Sequence, residues 1–334
     1  MNIHQVTHRY PPRTGGVESH VHAVSHELAD RHMVTVRTAD RAGDEPRFEW
    51  DGKVKLYRRR SLPPWHLSPM SLMDGRSGLA DVVHCHNAHS LHPVLAALAA
   101  DCERLVFSPH YHGFEGRTKL IFGPYRILIR RALRKADRVI AVSEHERDLL
   151  SDDLGVDAEV VPHGLDYSGV GSGRPVETGN DFALFVGRLV PHKNVEAVID
   201  TAVGKGMDLV VVGEGPELPG LVRYADENGG SDTVFFAGRV DDELDEMYAG
   251  ASVLLNPSSE EAFGMVVGEA LARGTPCVVN PESGLSRWLD TDGVVGAAPE
   301  EMGAAVDEAV ESDVDERPLP SWSEVAGRLE EVYR

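Results

Sequence analysis

Lysine is scarce in this 334-residue sequence: six of 33 basic residues, set against 54 acidic ones. The formal net charge is −21. That balance argues against general nucleic-acid binding, because neutralising phosphates needs a positive face. An acidic, lysine-poor surface points instead to a high-salt cytoplasm of the halophilic archaeal kind, where screening quiets self-repulsion. Stability should then change between about 0.1 M and several molar salt, where the Debye length falls towards about 3 Å. Cysteine is scarce too. Cys85, Cys102 and Cys277 are widely spaced and form no CxxC pair, so they read as buried free thiols. Long apolar runs are missing. Stretches such as Pro93 to Ala100 fall far short of the roughly 18 residues that span a bilayer. Met1-Asn2-Ile3-His4-Gln5-Val6 lacks a charged region followed by an apolar one, so no signal peptide is expected and the expected location is cytoplasmic. Neither a Walker A sequence nor G-x-G-x-x-G occurs.

What is present suffices for two hydrophobic cores. Apolar residues make up 42 %, and the length suggests two α/β domains of roughly 150 residues each. Strands are expected at Asn2–Thr7, Val34–Thr38, Val54–Arg58, Asp81–His86, Arg104–Pro109, Arg138–Val142 and Glu159–Pro162, with helical patterns such as Val17–Arg31 and Tyr125–Ala136 between them. Gly169–Asn180 is rich in Gly, Ser and Pro and reads as a junction. The alternation then restarts. Strands are expected at Phe182–Val186, Leu209–Val212, Val234–Phe236, Val253–Asn256 and Pro276–Asn280. Helices are expected at Val195–Gly204, Glu217–Glu227, Asp242–Ala249, Gly264–Arg273 and Glu300–Glu311, with a terminal one at Trp322–Tyr333. Short Val/Ile/Leu strands separated by helices indicate parallel sheets covered on both faces. The expected fold is α/β, with two doubly wound Rossmann-like domains facing a central cleft at the carboxyl ends of their strands.

Four segments carry candidate chemistry. In the first, a strand ends near Asn256, a polar turn holds Glu261, and a helix opens near Gly264, which allows close backbone approach. The helix's first N–H groups form a potential anion site, and Glu269 lies about one and a half turns in, where a carboxylate can accept two bonds from a diol. In the second, Arg188 and Lys193 flank a strand-to-helix turn and could offset a diphosphate's charge. The third is the Gly15-Gly16 turn before Val17, and the fourth is His110-Tyr111-His112-Gly113 at a strand's carboxyl end, where a histidine could position a sugar hydroxyl. Each has an ordinary reading as well: an acidic surface loop, two solvated cations, a plain tight turn, hydrogen-bonded histidines. His84 and His86 share a strand face, yet neither carboxylates nor cysteines complete a metal site with them, so no metal is expected.

Taken together these motifs resemble glycosyltransferase family 4. Glu261 and Glu269 are spaced like the E-x7-E motif of retaining GT-B glycosyltransferases. Val186-Gly187-Arg188-Leu189 with Lys193-Asn194, Val212-Gly213-Glu214-Gly215-Pro216, Val161-Pro162-His163-Gly164-Leu165-Asp166 and Pro12-Arg13-Thr14-Gly15-Gly16-Val17-Glu18 are similar to its other motifs, in the same order. The resemblance implies that Glu269 binds the donor ribose, Glu261 the transferred sugar, and Arg188 and Lys193 the diphosphate as it leaves. It implies donor contacts from Gly15, Gly16 and His110, from the backbone of Phe263, Gly264 and Met265, and from Glu214 and Gly215 near the nucleoside. It also implies front-face attack with retention, no metal and no cofactor beyond the nucleotide-sugar co-substrate. The domains would then be 1–168, acceptor-side; 169–318, donor-side; and a terminal helix, 319–334, packed back on the first. One departure stands out. Where the family has Gly-Gly followed by Glu, this sequence has Glu282-Ser283-Gly284-Leu285-Ser286.

The expected acceptor is a glycan, lipid-linked or small molecule. Tyr125–Lys135 is basic and amphipathic, which suits either core packing with solvated arginines or peripheral contact with an anionic inner membrane face. Two alternatives of the same fold remain open: a nucleotide-sugar epimerase and a non-catalytic nucleotide-sugar-binding protein.

Overall fold

In a computed structural model of the chain, residues 1–13, 15–42, 45–60, 74, 80–113, 123–168, 181–240, 243–261 and 263–334 are described. The junction 169–180, most of 62–79, Thr14 and Ala262 lie outside the described residues. The chain forms two units, residues 1–164 with 320–334, and residues 165–319.

The first unit holds strands β1 (Asn2–Val6), β2 (Met33–Thr38), β3 (Phe48–Asp51), β4 (Val54–Arg58), β5 (Val82–His86), β6 (Arg104–Ser108), β7 (Arg138–Ala141) and β8 (Glu159–Val160). They make one sheet in the order β3-β4-β2-β1-β5-β6-β7-β8. All pairs are parallel except β3 with β4. Because strand side chains alternate, Val82 and Val83 face opposite ways. Val83 and Cys85 pack beneath helices α2 (Leu91–Ala99), α3 (Gly123–Lys135) and α4 (Glu144–Leu154). Ile3 and Val82 pack beneath α1 (Gly16–Ala29) and the C-terminal helix Trp322–Tyr333. That last helix starts at a capping box. The Ser321 hydroxyl accepts from Glu324 N at 3.3 Å, and the Glu324 carboxylate accepts from Ser321 N at 2.7 Å. Its apolar stripe, Val325, Ala326, Leu329, Val332 and Tyr333, is buried in this unit, which is why the chain's last residues belong with its first.

The second unit holds β9 (Phe182–Val186), β10 (Asp208–Val212), β11 (Val234–Gly238), β12 (Val253–Asn256), β13 (Cys277–Val279) and β14 (Val294–Gly296), all parallel, in the order β11-β10-β9-β12-β13-β14. Its helices are α5 (Val195–Lys205), α6 (Leu218–Glu227), α7 (Leu244–Gly250), α8 (Met265–Leu271) and α9 (Met302–Glu311). Leu184, Val253 and Leu254 are fully buried, as expected of central strands covered on both faces.

The strands read from the sequence recur within a residue or two. The antiparallel edge strand β3, the short edge strand β14 and helices α2 and α4 were not read. The helix expected over Gly264–Arg273 is shorter, seven residues from Met265. No helix among the described residues is long and apolar enough to cross a membrane.

Candidate functional site

In the second unit the strand order reverses between β9 and β12. β9 runs on to β10, while its other neighbour is β12. Doubly wound sheets bind ligands at the carboxyl ends of the strands where this happens. Both of the richest segments leave the sheet there. After β9 the chain passes through Gly187-Arg188 to a 3-10 turn at Pro191–Lys193. After β12 it turns through Pro257–Glu261. Side-chain and main-chain bonds join the two loops. Ser259 N donates to His192 O at 2.9 Å, and Asn194 Nδ2 donates to Pro257 O at 2.9 Å. The result is an ion pair between Lys193 Nζ and Glu261 Oε2, with the two side chains 13 % and 21 % exposed. Arg188, on the same loop, is exposed, and its guanidinium makes no hydrogen bond or ion pair with a described residue.

Two glycines explain how a third loop fits beside these. Gly213, at φ +139, lies so close to the Gly187 carbonyl that any Cβ would collide with it, and Gly215 lies equally close to the Leu189 backbone. Leu189 N donates to Glu214 O at 2.9 Å, so the loop after β10 is laced to the loop after β9 and leaves the Glu214 side chain in solvent.

Glu269 sits on α8. Its Oε2 accepts a 2.8 Å bond from Tyr248, whose ring is buried. Burial raises its pKa, while the Tyr248 bond and the Arg273 charge work the other way. Oε1 accepts from no described residue. At the head of α8, Gly264 adopts the left-handed conformation, φ 75, tight against Leu285, and Trp288 Nε1 donates to Phe263 O at 2.7 Å. The Phe263 carbonyl is therefore engaged, and a helix of seven residues offers a short dipole. Side-chain cations are the stronger electrostatic feature here.

One such cation was missed in the sequence. Arg287 follows β13 and stacks over the Phe263 ring, 3.7 Å from its centroid. Its Nε and Nη1 are buried without a hydrogen-bond partner among the described residues. Burial lowers its pKa to about 10. A guanidinium with two nitrogens buried and no ion pair among the described residues is costly, and a ring face offsets only part of that cost. The signal available in the sequence was its position, in the loop that departs from the Gly-Gly…Glu pattern.

In the first unit, Gly15 and Gly16 are exposed at the head of α1, with the Glu18 carboxylate folded back against Gly15. His110 is at φ 46 and buried, with Nε2 unpartnered among the described residues. It stacks on His86 at 5.8 Å and meets the edge of His20 at 5.3 Å. Desolvation, then the neighbouring His20, holds its pKa well below the usual histidine value, so the ring is neutral. His84 and His86 do share a face, with ring centroids 4.0 Å apart. His84 spends both nitrogens at 2.8 Å, on Tyr333 and on Ser108, and is a satisfied core residue.

Two mainly parallel, doubly wound sheets in one chain define the GT-B class. Sucrose-phosphate synthase from Thermosynechococcus elongatus has the same fold, with a TM-score of 0.77 at 17 % identity, over 100 % of this chain and 98 % of that one. HepE from Anabaena, solved with UDP and glucose, matches at 0.73 and 16 %, over 99 % of each. The family model Glycosyltransferase Family 4 matches residues 14–168, and Glycosyl transferases group 1 matches residues 174–318. A GDP-mannose-dependent alpha-(1-6)-phosphatidylinositol monomannoside mannosyltransferase of Mycolicibacterium smegmatis is 30 % identical over 339 residues, covering 87 % of this chain and 83 % of its own. An alpha-monoglucosyldiacylglycerol synthase of Streptococcus pneumoniae is 26 % identical over 336 residues, covering 89 % and 75 %. The chain belongs to glycosyltransferase family 4 and is a glycosyltransferase of the GT-B type.

Proposed function

We propose that the chain transfers a hexosyl group from a nucleotide diphosphate-sugar to a glycan, lipid-linked or small-molecule acceptor, with retention and without a metal ion. The observation that carries this reading is the meeting of the two loops at the strand-order reversal, where Lys193 pairs with Glu261 beside an exposed Arg188. Arg188 and Lys193 bind the diphosphate and stabilise the charge that develops as it leaves. The bond from the anomeric carbon to the diphosphate breaks, and the acceptor oxygen bonds to that carbon on the same face. The acceptor's proton passes to the departing phosphate oxygen. Glu261 accepts from a hydroxyl of the sugar and Glu269, through its unoccupied oxygen, from the ribose. Glu214 and Gly215 flank the nucleoside, and the N–H groups near Phe263, Gly264 and Met265 face the phosphates. The family's pattern gives Gly15, Gly16 and the neutral His110 contacts to the donor. Glu261 and Glu269 hold the donor and are not a hydrolase's acid and nucleophile.

The test is transfer of a radiolabelled sugar. Lys193→Ala and Glu269→Ala should each lower kcat/KM by tenfold or more, as losses of about 1.4 kcal/mol do. Full activity in both variants refutes the assignment. Release of an epimerised sugar with no transfer favours the epimerase.

One named relative is a synthase of an alpha-monoglucosyldiacylglycerol and the other a mannosyltransferase of a phosphatidylinositol monomannoside, which favours a lipid-linked acceptor. On α3, Ile129, Ala132 and Leu133 face the core, while Ile127, 60 % exposed, lies with Arg130, Arg131 and Arg134 on the outer side. That face suits peripheral contact with anionic lipid from the cytoplasmic side. Vesicles containing phosphatidylglycerol should carry the protein upwards in a flotation gradient at low salt and release it at high salt. No salt-sensitive flotation rejects the membrane contact.

A further inference from the structure

We propose that His22, His26 and Asp51 form a site for a divalent transition-metal ion of the zinc class, which clamps the first helix to the edge hairpin of the N-terminal unit. His22 and His26 are four residues apart on α1, hence on one face, with ring centroids 4.3 Å apart. Asp51 is the last residue of β3. Gly52, at φ +57, makes the turn into β4 and brings the hairpin against the helix. A Cβ on it would stand 3.2 Å from His26 Cε1.

Distances support the assignment. Asp51 Oδ2 lies 2.9 Å from His26 Nε2 and 3.4 Å from His22 Nε2. One ligand atom from each of the three residues lies within 4.8 Å of the other two. Ligands about 2.1 Å from an ion stand about 3.4 Å apart at tetrahedral angles and about 3.0 Å apart at octahedral ones. The two measured edges fall at those values. Hydrogen bonding explains one edge, since His26 Nε2 and Asp51 Oδ2 are in hydrogen-bond contact at 2.9 Å, but not the His22 edge at 3.4 Å. Oδ2 also accepts from the Tyr10 hydroxyl at 2.9 Å, so three groups converge on one oxygen. An ion between the rings and the carboxylate removes that crowding. Tyr10 is fully buried and would fix the carboxylate from behind, as outer-shell partners of metal ligands do.

Access and charge agree with this. The three side chains are between 35 % and 40 % exposed, so an ion arrives from solvent and water completes its shell. The net charge of −21 draws cations to the surface. The other histidine group, His20, His86 and His110, is buried and has no carboxylate. The clamp takes no part in the proposed transfer, and its test needs no substrate.

Untagged full-length protein, stripped with EDTA and dialysed, is titrated with zinc chloride by calorimetry and with cobalt(II) by visible absorption. One ion per chain and a rise in the thermal midpoint are expected. The double variant His22→Ala, His26→Ala should bind at least about tenfold more weakly, a difference of about 1.4 kcal/mol. Asp51→Asn keeps the volume of the side chain and should weaken binding while far-UV circular dichroism is unchanged. His86→Gln should bind like the parent. The proposal is overturned if zinc does not bind, if both sets of variants bind like the parent, or if only His86→Gln removes binding.

Discussion

Lowering the pH from 7.5 to 5.5 should unfold the N-terminal unit, through its buried histidines. His4, His20, His84, His86, His92 and His110 are all buried there. Burial is the main cause that pushes His4 and His92 down to about 4 and His20 and His84 to about 3, with His86 and His110 also well below the ordinary 6.5. The unfolded chain takes up these protons near 6.5 and the folded chain does not. The stability they contribute is therefore complete above about pH 6.5 and is lost as the pH falls towards 4. Each group costs about 1.4 kcal/mol at one unit below its unfolded value. Glu146 acts the other way. Burial raises its carboxyl to about 7, so its ionisation, which strains the fold at neutral pH, is relieved on acidification. Setting it against one histidine leaves five, or about 7 kcal/mol at pH 5.5, comparable with the whole stability of a typical domain. Urea denaturation at pH 7.5, 6.5 and 5.5, at constant ionic strength, measures this. The midpoint should fall steeply between the last two. An unfolding free energy that falls by less than one histidine's worth, about 1.4 kcal/mol, refutes the account of a neutral histidine core.

Two further outcomes follow from the second unit. Gly213→Ala should lower the thermal midpoint by several degrees and abolish UDP or GDP binding, because its Cβ would collide with the Gly187 carbonyl. Calorimetry on the purified variant decides it, and unchanged melting and binding would show that the loop relaxes freely. Arg287→Met should raise the midpoint of the ligand-free protein, since a half-buried charge with no ion pair among the described residues disappears, and should weaken nucleotide binding if the cation serves the diphosphate. A variant that melts lower and binds normally contradicts both parts.

The architecture was legible because its signal is local. Short apolar strands alternating with helices were enough to mark Phe182–Val186 and Val253–Asn256, whose flanking turns carry the candidate groups. β3 escaped because it is an edge strand that buries little, with Phe48 and Trp50 exposed, and β14 because it is only three residues long. Helix α2 was hidden by its own uniform apolarity, which gives no amphipathic period. The length of α8 was overestimated because the apolar pattern continues past Leu271, where the chain instead leaves the helix through a turn at Arg273-Gly274.

Residue identity by itself determined the class of the chain, the ordered motifs and the chemistry of the side chains, since these depend on type and spacing along the chain. Only the tertiary structure decided which groups meet. Lys193 and Glu261 are 68 positions apart, and their pairing follows from β9 lying beside β12. Likewise Asp51 reaches His22 and His26 only because the hairpin at Gly52 folds onto the first helix. That Arg287 finds no ion-pair partner among the described residues is a tertiary fact as well. Whether a charge is solvated, paired or stranded depends on what surrounds it in space, and spacing along the chain carries no record of that.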